Sequence, residues 1–137
     1  MQRSEGGFRE HEHTADWELE VWAPNLPGLF EQAARGMYAL SGIVLNSDPR
    51  RVRQLRLTAV DLESLLVGFL QELLFLEETV GFGYEQFDIQ IHDLDLSALL
   101  TGAPVLAISK EIKAVTFHNI KIRESEHGLE VRIVFDV

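Results

Sequence analysis

The segment from Leu62 to Thr79 constrains the fold more strongly than any other part of the sequence. Its apolar residues recur at the three- and four-residue steps of a helix and cover more than one stripe of its surface. Asp61 can cap this helix at its start, and Gly81 and Gly83 can end it. We expect it to be the most buried element of the chain, through Leu62, Leu65, Leu66, Phe69, Leu70, Leu73, Leu74 and Leu76.

Two segments near the ends of the sequence show the two-residue alternation that is typical of strands. From Asp16 to Ala23 every second residue is apolar or small, which gives the strand one face toward a core. Later in the sequence, Ile112–Glu124 and Leu129–Val137 predict a hairpin with its turn at residues 126–128. Both segments are therefore expected to contribute strands to a sheet.

The middle of the chain alternates between helix and strand patterns. Leu26–Leu40 predicts an amphipathic helix that begins after Asn25 as its N-cap. Further strands are predicted at Arg51–Val60, Phe87–Ile91 and Leu94–Leu100, the last turning at residues 102–104. Two helices packed on a largely antiparallel sheet make an α+β fold, and residues 1–137 are expected to form a single compact domain.

The charge balance restricts the partners that this chain can bind. Its 12 Lys and Arg stand against 22 Asp and Glu, which gives a formal charge of −10. RNA gains affinity from cationic side chains that displace its counterions, so we expect no strong direct nucleic-acid binding, and cations or basic proteins are the expected partners. The basic residues are uneven: residues 57–109 contain none, which predicts a solvated acidic face beside a basic strand edge formed by Arg50, Arg51, Arg53 and Arg56.

Several classes of function have no support in the sequence. The chain contains no cysteine, which excludes disulfides, thiolate metal sites and cysteine nucleophiles. It also lacks the G-x-G-x-x-G, P-loop and G-x-S-x-G patterns of nucleotide binding and serine hydrolysis. No apolar run reaches the roughly 18 residues of a membrane span, and no signal peptide is evident. We therefore expect a cytoplasmic protein that does not enter a membrane.

Two short motifs are weak candidates for metal binding. His11-Glu12-His13 would place two imidazoles on one face of a strand, and His118 could add a third ligand. Nothing else in the sequence supports zinc, so exposed polar histidines are the simpler interpretation. Asp93-Leu94-Asp95 resembles a fragment of a calcium loop but lacks the glycine and the terminal glutamate of that pattern, so a turn is predicted.

Asp16 and Asp136 form a stronger candidate pair. Each lies at the end of an apolar alternating segment, although aspartate is unfavourable in strands, and the carboxylate of Val137 follows Asp136. If the two strands are neighbours, three carboxylates converge, and an all-oxygen set suits Ca²⁺ or Mg²⁺. From the pattern alone, exposed strand-end acids are the alternative, and Lys113 is an edge charge at a strand entrance.

Taken together, these segments resemble the archease family. The E-H-T-A-D motif of that family is present at residues 12–16, and its leucine-rich second helix resembles Asp61–Leu74. A late K-A-[VI]-T-[YF]-H motif appears as Lys113–His118, and the sequence closes with Val134–Val137, like the family's F-D-[VIT]. The residue after Asp16 departs from the family, because Trp17 stands where a small aliphatic residue is common. The resemblance extends from about Phe8 to Val137.

The resemblance implies a function and a set of site residues. Archeases are protein cofactors of the RNA-splicing (tRNA) ligase: they promote guanylylation of the ligase and allow multiple turnovers, without catalysis of their own. The family's metal site corresponds here to Asp16, Asp136 and the carboxylate of Val137, with Ca²⁺ expected before Mg²⁺, and its functionally important lysine corresponds to Lys113. The alternatives are a general chaperone or modulator of RNA-modifying enzymes such as tRNA methyltransferases, and a small metal-dependent hydrolase. The sequence leaves the oligomeric state open.

Overall fold

The computed structural model of the protein describes residues 6–12, 16–126 and 128–137, with Glu12 described in its backbone alone. Within these residues the chain forms two helices, α1 (Leu26–Ser41) and α2 (Leu62–Thr79), and nine strands. The strands are β1 (Gly7–Glu12), β2 (Asp16–Ala23), β3 (Val44–Leu45), β4 (Arg51–Thr58), β5 (Phe82–His92), β6 (Asp95–Ala107), β7 (Ala114–Val115), β8 (Arg123–Ser125) and β9 (Gly128–Asp136).

The strands divide between two antiparallel sheets. In the first sheet β2 lies between β1 and β9, and the other edge of β9 pairs with the short strands β7 and β8. In the second sheet the long strand β6 pairs with β5 on one side and with β4 and β3 on the other. The predicted α+β class with two helices packed on antiparallel strands is confirmed, and the division into two sheets is what the sequence pattern did not indicate.

Both helices contact both sheets and form the middle of the core. α1 packs against β1 and β2 of the first sheet and β5 of the second, whereas α2 packs against β4, β5 and β7. The rings of Phe30 and Phe69 meet between the helices with centroids 5.9 Å apart. None of the helices among the described residues is long and apolar enough to cross a membrane.

Both predicted helix caps are present. The Asn25 side chain accepts a hydrogen bond from the Gly28 N–H at 2.9 Å, and the Asp61 carboxylate accepts one from the Ser64 N–H at 2.7 Å. These contacts satisfy main-chain donors that the first turn of a helix leaves without partners. Gly42 ends α1 in the left-handed conformation, with φ of 64°.

The Gly-Ala-Pro sequence predicts a turn at residues 102–104, but this prediction is wrong. β6 runs straight through these residues from Asp95 to Ala107. A Cβ atom at Gly102 would lie 1.9 Å from the carbonyl oxygen of Gly83, so glycine is required here because two strands approach closely. The glycine therefore marks a close backbone contact rather than a turn.

The predicted strand over residues 112–124 is interrupted. Within this segment only β7 and β8 pair with β9, and the loop at residues 116–122 leaves the sheet edge between them. The main-chain N–H of Ile122 donates to Glu63 at 2.9 Å, and the side chains of Ile120 and Ile122 pack against the core. The two isoleucines therefore contact the core near the start of α2 and do not belong to a paired strand.

Two buried polar atoms lie near the C-terminal ends of the helices. The Tyr38 hydroxyl and one carboxylate oxygen of Glu77 have no hydrogen-bond partner within the described residues. Burial raises the pKa of Tyr38, and the charge of Glu77 raises it further. Burial is also the main cause that raises the pKa of Glu77, with a smaller contribution from Glu78.

Glu77 should make the stability of the fold depend on pH. The folded pKa of Glu77 is raised above the unfolded value of 4.5. The contribution of protonated Glu77 to the free energy of unfolding is therefore complete at low pH and is lost as the pH rises through the folded pKa. Glu77→Gln should therefore flatten the fall in unfolding free energy as the pH rises above about 4.5, measured by urea denaturation. Glu78→Gln, at an exposed position, is the matched control, and an equal flattening by both variants would contradict this assignment.

Candidate functional site

Asp16 and Asp136 face each other across the pair formed by β2 and β9. The register places Asp16 opposite Asp136, followed by Glu18 opposite Val134 and Glu20 opposite Arg132. These side chains share the outer face of the sheet, because Leu19 and Val21 between them are buried on the inner face. The two aspartates therefore lie together at the end of this strand pair.

The backbone geometry brings the Cα atoms of the two aspartates close together. The Asp136 carbonyl oxygen accepts a hydrogen bond from the Lys113 N–H at 2.8 Å, so it points toward β7 and away from β2. The N–H and C=O of a strand residue point to the same side, so Asp16 and Asp136 form a non-hydrogen-bonded pair. In such pairs the Cα atoms lie about 4.5 Å apart and the side chains are closest. Their carboxylates can thus reach one cation at ligand distances of about 2.3–2.6 Å.

Two other acids of this face, Glu18 and Glu20, are neutralised by neighbouring basic side chains. Glu18 accepts a hydrogen bond from Arg132 at 2.9 Å. Glu20 lies 3.6 Å from Arg9 and 3.3 Å from His11. Within the described part of the chain, by contrast, no ion pair reaches Asp16 or Asp136. The negative charge of the face is therefore left uncompensated at the end where these two residues meet.

Lys113 lies immediately before β7, on the opposite side of β9 from Asp16. Its main chain is fixed by the hydrogen bond to Asp136, and its side chain is exposed. No carboxylate among the described residues pairs with its ammonium group, so the charge is available to a partner. Val137 is half-buried against the core, which holds the residue after Asp136 close to the sheet.

A groove of about 770 Å³ extends from Asp16 along the outer face of β2 and β9. One side carries the acids of β2, and the other carries His118, Asn119 and Lys121 from the loop at residues 116–122. Asn119 has a φ of 52°, and its amide contacts the His118 ring at 3.2 Å. Sequence reasoning missed this groove, because it depends on the interruption of the strand between β7 and β8.

Those members of the weaker metal candidates that the structure describes do not come together. His11 contacts Glu20, His118 lies on the loop, and His13 is outside the described residues. Asp93 and Leu94 form the tight turn between β5 and β6, with Asp93 in the left-handed region at φ of 54°. No group of three or more His, Asp and Glu side chains in residues 6–12, 16–126 and 128–137 is arranged to hold a metal.

The donor set at the end of β2 and β9 suits a hard cation. It contains two carboxylate side chains without a counter-charge, and oxygen ligands of this kind are those that Ca²⁺ and Mg²⁺ take. The third ligand expected from the sequence is a main-chain carboxylate at Val137, not a side chain. The residues present are therefore compatible with such a cation.

The fold and this site together define a class of small two-sheet α+β proteins in which the first long strand and the last strand pair and bring two aspartates together. The chain belongs to the archease family: the model described as "Archease protein family (MTH1598/TM1083)" matches residues 8–137.

One relative and two solved structures illustrate the similarity. Protein archease from Methanothermobacter thermautotrophicus is 29% identical over 138 residues, which cover 96% of this chain and 99% of that protein. The solution structure of Methanobacterium thermoautotrophicum protein 1598 is 25% identical with a TM-score of 0.70 and covers 96% of this chain and 99% of that one. A Thermotoga maritima crystal structure, described as an archease and possible chaperone, is 24% identical with a TM-score of 0.70 over 94% and 96% of the two chains, and supports the fold.

The uncompensated aspartates should destabilise the protein when no cation is present. Like charges that lie directly opposite across strands are unfavourable by up to about 1 kcal/mol. Asp136→Asn should therefore raise the free energy of unfolding in the presence of a chelator at low salt, measured by urea denaturation. Glu18→Gln is the control and should give no such gain, because Glu18 is paired with Arg132. A loss of stability in Asp136→Asn would refute the repulsion.

Proposed function

We propose that this archease is a non-catalytic activator of an RNA-splicing (tRNA) ligase, which promotes guanylylation of the ligase and its multiple turnover. The observation that carries the proposal is the arrangement of Asp16, Asp136 and Lys113, three exposed or half-exposed charges fixed by one strand, β9. Exposed charged side chains at this position contribute little to core packing, whereas they can contact a partner protein. The proposal places the protein in the cytoplasm with the ligase as its partner.

The proposal includes a divalent cation held by Asp16, Asp136 and the carboxylate of Val137. Ca²⁺ is the first candidate and Mg²⁺ the second, because Ca²⁺ tolerates irregular oxygen geometry whereas Mg²⁺ demands a near-ideal octahedron. The cation would neutralise the repulsion between the aspartates and would present a positive charge at an otherwise acidic surface. Its place next to Lys113 would put two positive charges at the same edge.

The overall charge of −10 supports a protein partner. An acidic protein is attracted to the basic surface that an RNA ligase uses for its substrate, and this attraction accelerates and orients docking. Docking by charge at such a surface brings the cation and Lys113 toward the nucleotide site of the ligase. The chain then acts on the ligase and needs no nucleophile of its own.

The first test of the proposal measures the cation. Ca²⁺ or Mg²⁺ should raise the thermal unfolding midpoint of the wild type, because unfolded chains do not present the cluster, and 100-fold excess over Kd adds about 2.7 kcal/mol. Asp136→Asn should reduce this rise, and a glycine added after Val137 should also reduce it by moving the terminal carboxylate. Glu18→Gln should retain the full rise. Equal midpoints with cation and chelator in the wild type would refute the site.

The second test measures activation of the cognate ligase. Lys113→Ala and Asp16→Ala should stay folded by circular dichroism, because neither side chain belongs to the core, and should lose most of the stimulation of guanylylation. Arg35→Gln removes one positive charge from the distant helix α1 and should keep the stimulation. Full stimulation by both site variants would show that Lys113 and Asp16 have no role in activation. No stimulation by the wild type would refute the proposed function as a ligase activator.

The same assay separates the alternatives. A chaperone or modulator of RNA-modifying enzymes, such as tRNA methyltransferases, would tolerate both site substitutions because it would act through a broader surface. The description "possible chaperone" belongs to the Thermotoga maritima protein and favours this alternative for that relative. A metal-dependent hydrolase would show activity with no partner protein present.

A further inference from the structure

Strand β4 concentrates positive charge in a protein that is otherwise strongly acidic. Its sequence RVRQLRLT carries Arg51, Arg53 and Arg56, and Arg50 directly precedes it. From Arg51 to Arg56 the strand extends about 17 Å, at roughly 3.3 Å per residue. We call Arg51, Arg53 and Arg56 the β4 arginines.

The β4 arginines form no ion pair, whereas four of the other five arginines in the described chain do. Arg9, Arg35, Arg50 and Arg132 each form an ion pair with a glutamate, at distances between 2.8 and 3.6 Å. No carboxylate among the described residues pairs with a β4 arginine; Arg53 instead donates from Nε to the Tyr84 hydroxyl at 3.0 Å. With 22 acids for 12 basic residues, a shortage of partners does not explain these free charges.

The surface around the β4 arginines is open. Because side chains alternate along β4, Arg51 and Arg53 lie on the face that also carries Leu55, and Arg56 lies on the opposite face. Residues 51–54 are all exposed, including Val52 at 66%. β4 pairs with β6 on one side, and no described strand pairs with its other edge. A shallow depression of about 470 Å³ opens beside Arg56 and is lined mainly by polar side chains, Thr58, Gln90, His92, Asp95 and Ser97.

We propose that the β4 arginines bind the phosphate backbone of a single-stranded RNA segment, the substrate strand of the partner ligase. This inference rests on the proposed function, which brings the protein to an enzyme that acts on RNA. The guanidinium group binds phosphate through two parallel hydrogen bonds, and all basic residues in this strand are arginines. The polar side chains beside Arg56 offer partners for ribose hydroxyls.

The acidic residues on the rest of the surface restrict where RNA can contact the protein. Asp88 lies exposed on β5, which pairs with the opposite side of β6, and it repels a polyanion from that edge. The RNA contact is therefore centred on β4 and the depression beside Arg56. The free protein, with a charge of −10, binds RNA weakly. An RNA strand that is already bound by the ligase, however, meets the β4 arginines at a high effective concentration. The expected absence of strong direct RNA binding is compatible with this role.

The test compares two steps of the ligase reaction. Guanylylation is measured without RNA, and ligation is measured over a range of RNA concentrations, with wild type and with Arg51→Gln/Arg56→Gln, which leaves the Arg53–Tyr84 contact in place. The double variant should stimulate guanylylation like the wild type, whereas its KM for RNA should rise several-fold with kcat kept. The salt dependence of log KM should become shallower by about 1.4, since each phosphate contact on a single strand contributes about 0.7.

Matched controls distinguish a specific effect of the β4 arginines from an effect of the protein's net charge. Arg51→Gln and Arg35→Gln each remove one positive charge, and only the first should raise the KM for RNA. An unchanged KM and salt slope in the double variant overturns the inference. A loss of RNA-free guanylylation also overturns it, because the β4 arginines would then contact an acidic segment of the ligase.

A failure of the proposed function would remain distinguishable. If the wild type does not stimulate guanylylation, the proposed function fails, and binding of an oligouridylate to the protein alone at low salt tests the β4 arginines directly. Fluorescence anisotropy should then show binding by the wild type that is several-fold weaker in the double variant. Equal binding by the two proteins overturns the RNA contact.

Discussion

The antiparallel pairing of β2 with β9 is the interaction on which the rest of the site depends. It joins a strand near the start of the sequence to the last strand, in a register that places Asp16 opposite Asp136. The inner faces of the same strands supply Leu19, Val21, Ile133 and Phe135 to the core. Because side chains alternate across a strand, a slip of one residue would bury the acids and expose the apolar residues. Core packing therefore fixes the geometry of the carboxylates.

Charge is distributed so that pairing leaves defined surfaces free. Along β2 the acids at positions 18 and 20 are matched by Arg132, Arg9 and His11, which neutralises the middle of the sheet face. Two of the places where charge stays uncompensated are the acidic end of this sheet, at Asp16 and Asp136, and the basic strand β4 of the other sheet. Electrostatic energy would be lower if all these groups were paired, so the unpaired ones are places where binding can supply the missing counter-charge.

The sequence predicted local structure well and long-range structure poorly. Helix bounds and caps follow from apolar spacing and from Asn25 and Asp61, which act within a few residues of their own positions. The aspartates were recognised as strand ends, but their adjacency needed the pairing of distant strands, which only the family resemblance indicated. Gly102 was misinterpreted as a turn because its reason, the approach of Gly83, lies on another strand. β1 was missed because GFREHE is almost wholly polar and lacks a core-facing pattern.

The loop at residues 116–122 shows how the same sheet serves both stability and access. Pairing of β7 and β8 holds the two ends of β9, while the segment between them turns toward the start of α2 and is anchored there by Glu63. This departure opens the groove beside Asp16 without loosening β9, whose other edge remains fully paired with β2. A continuous strand over residues 112–124 would add hydrogen bonds but would lie in the plane of the sheet, so the groove would lose the wall formed by His118, Asn119 and Lys121. The interruption therefore shapes the groove beside Asp16, while pairing with β2 keeps β9 rigid.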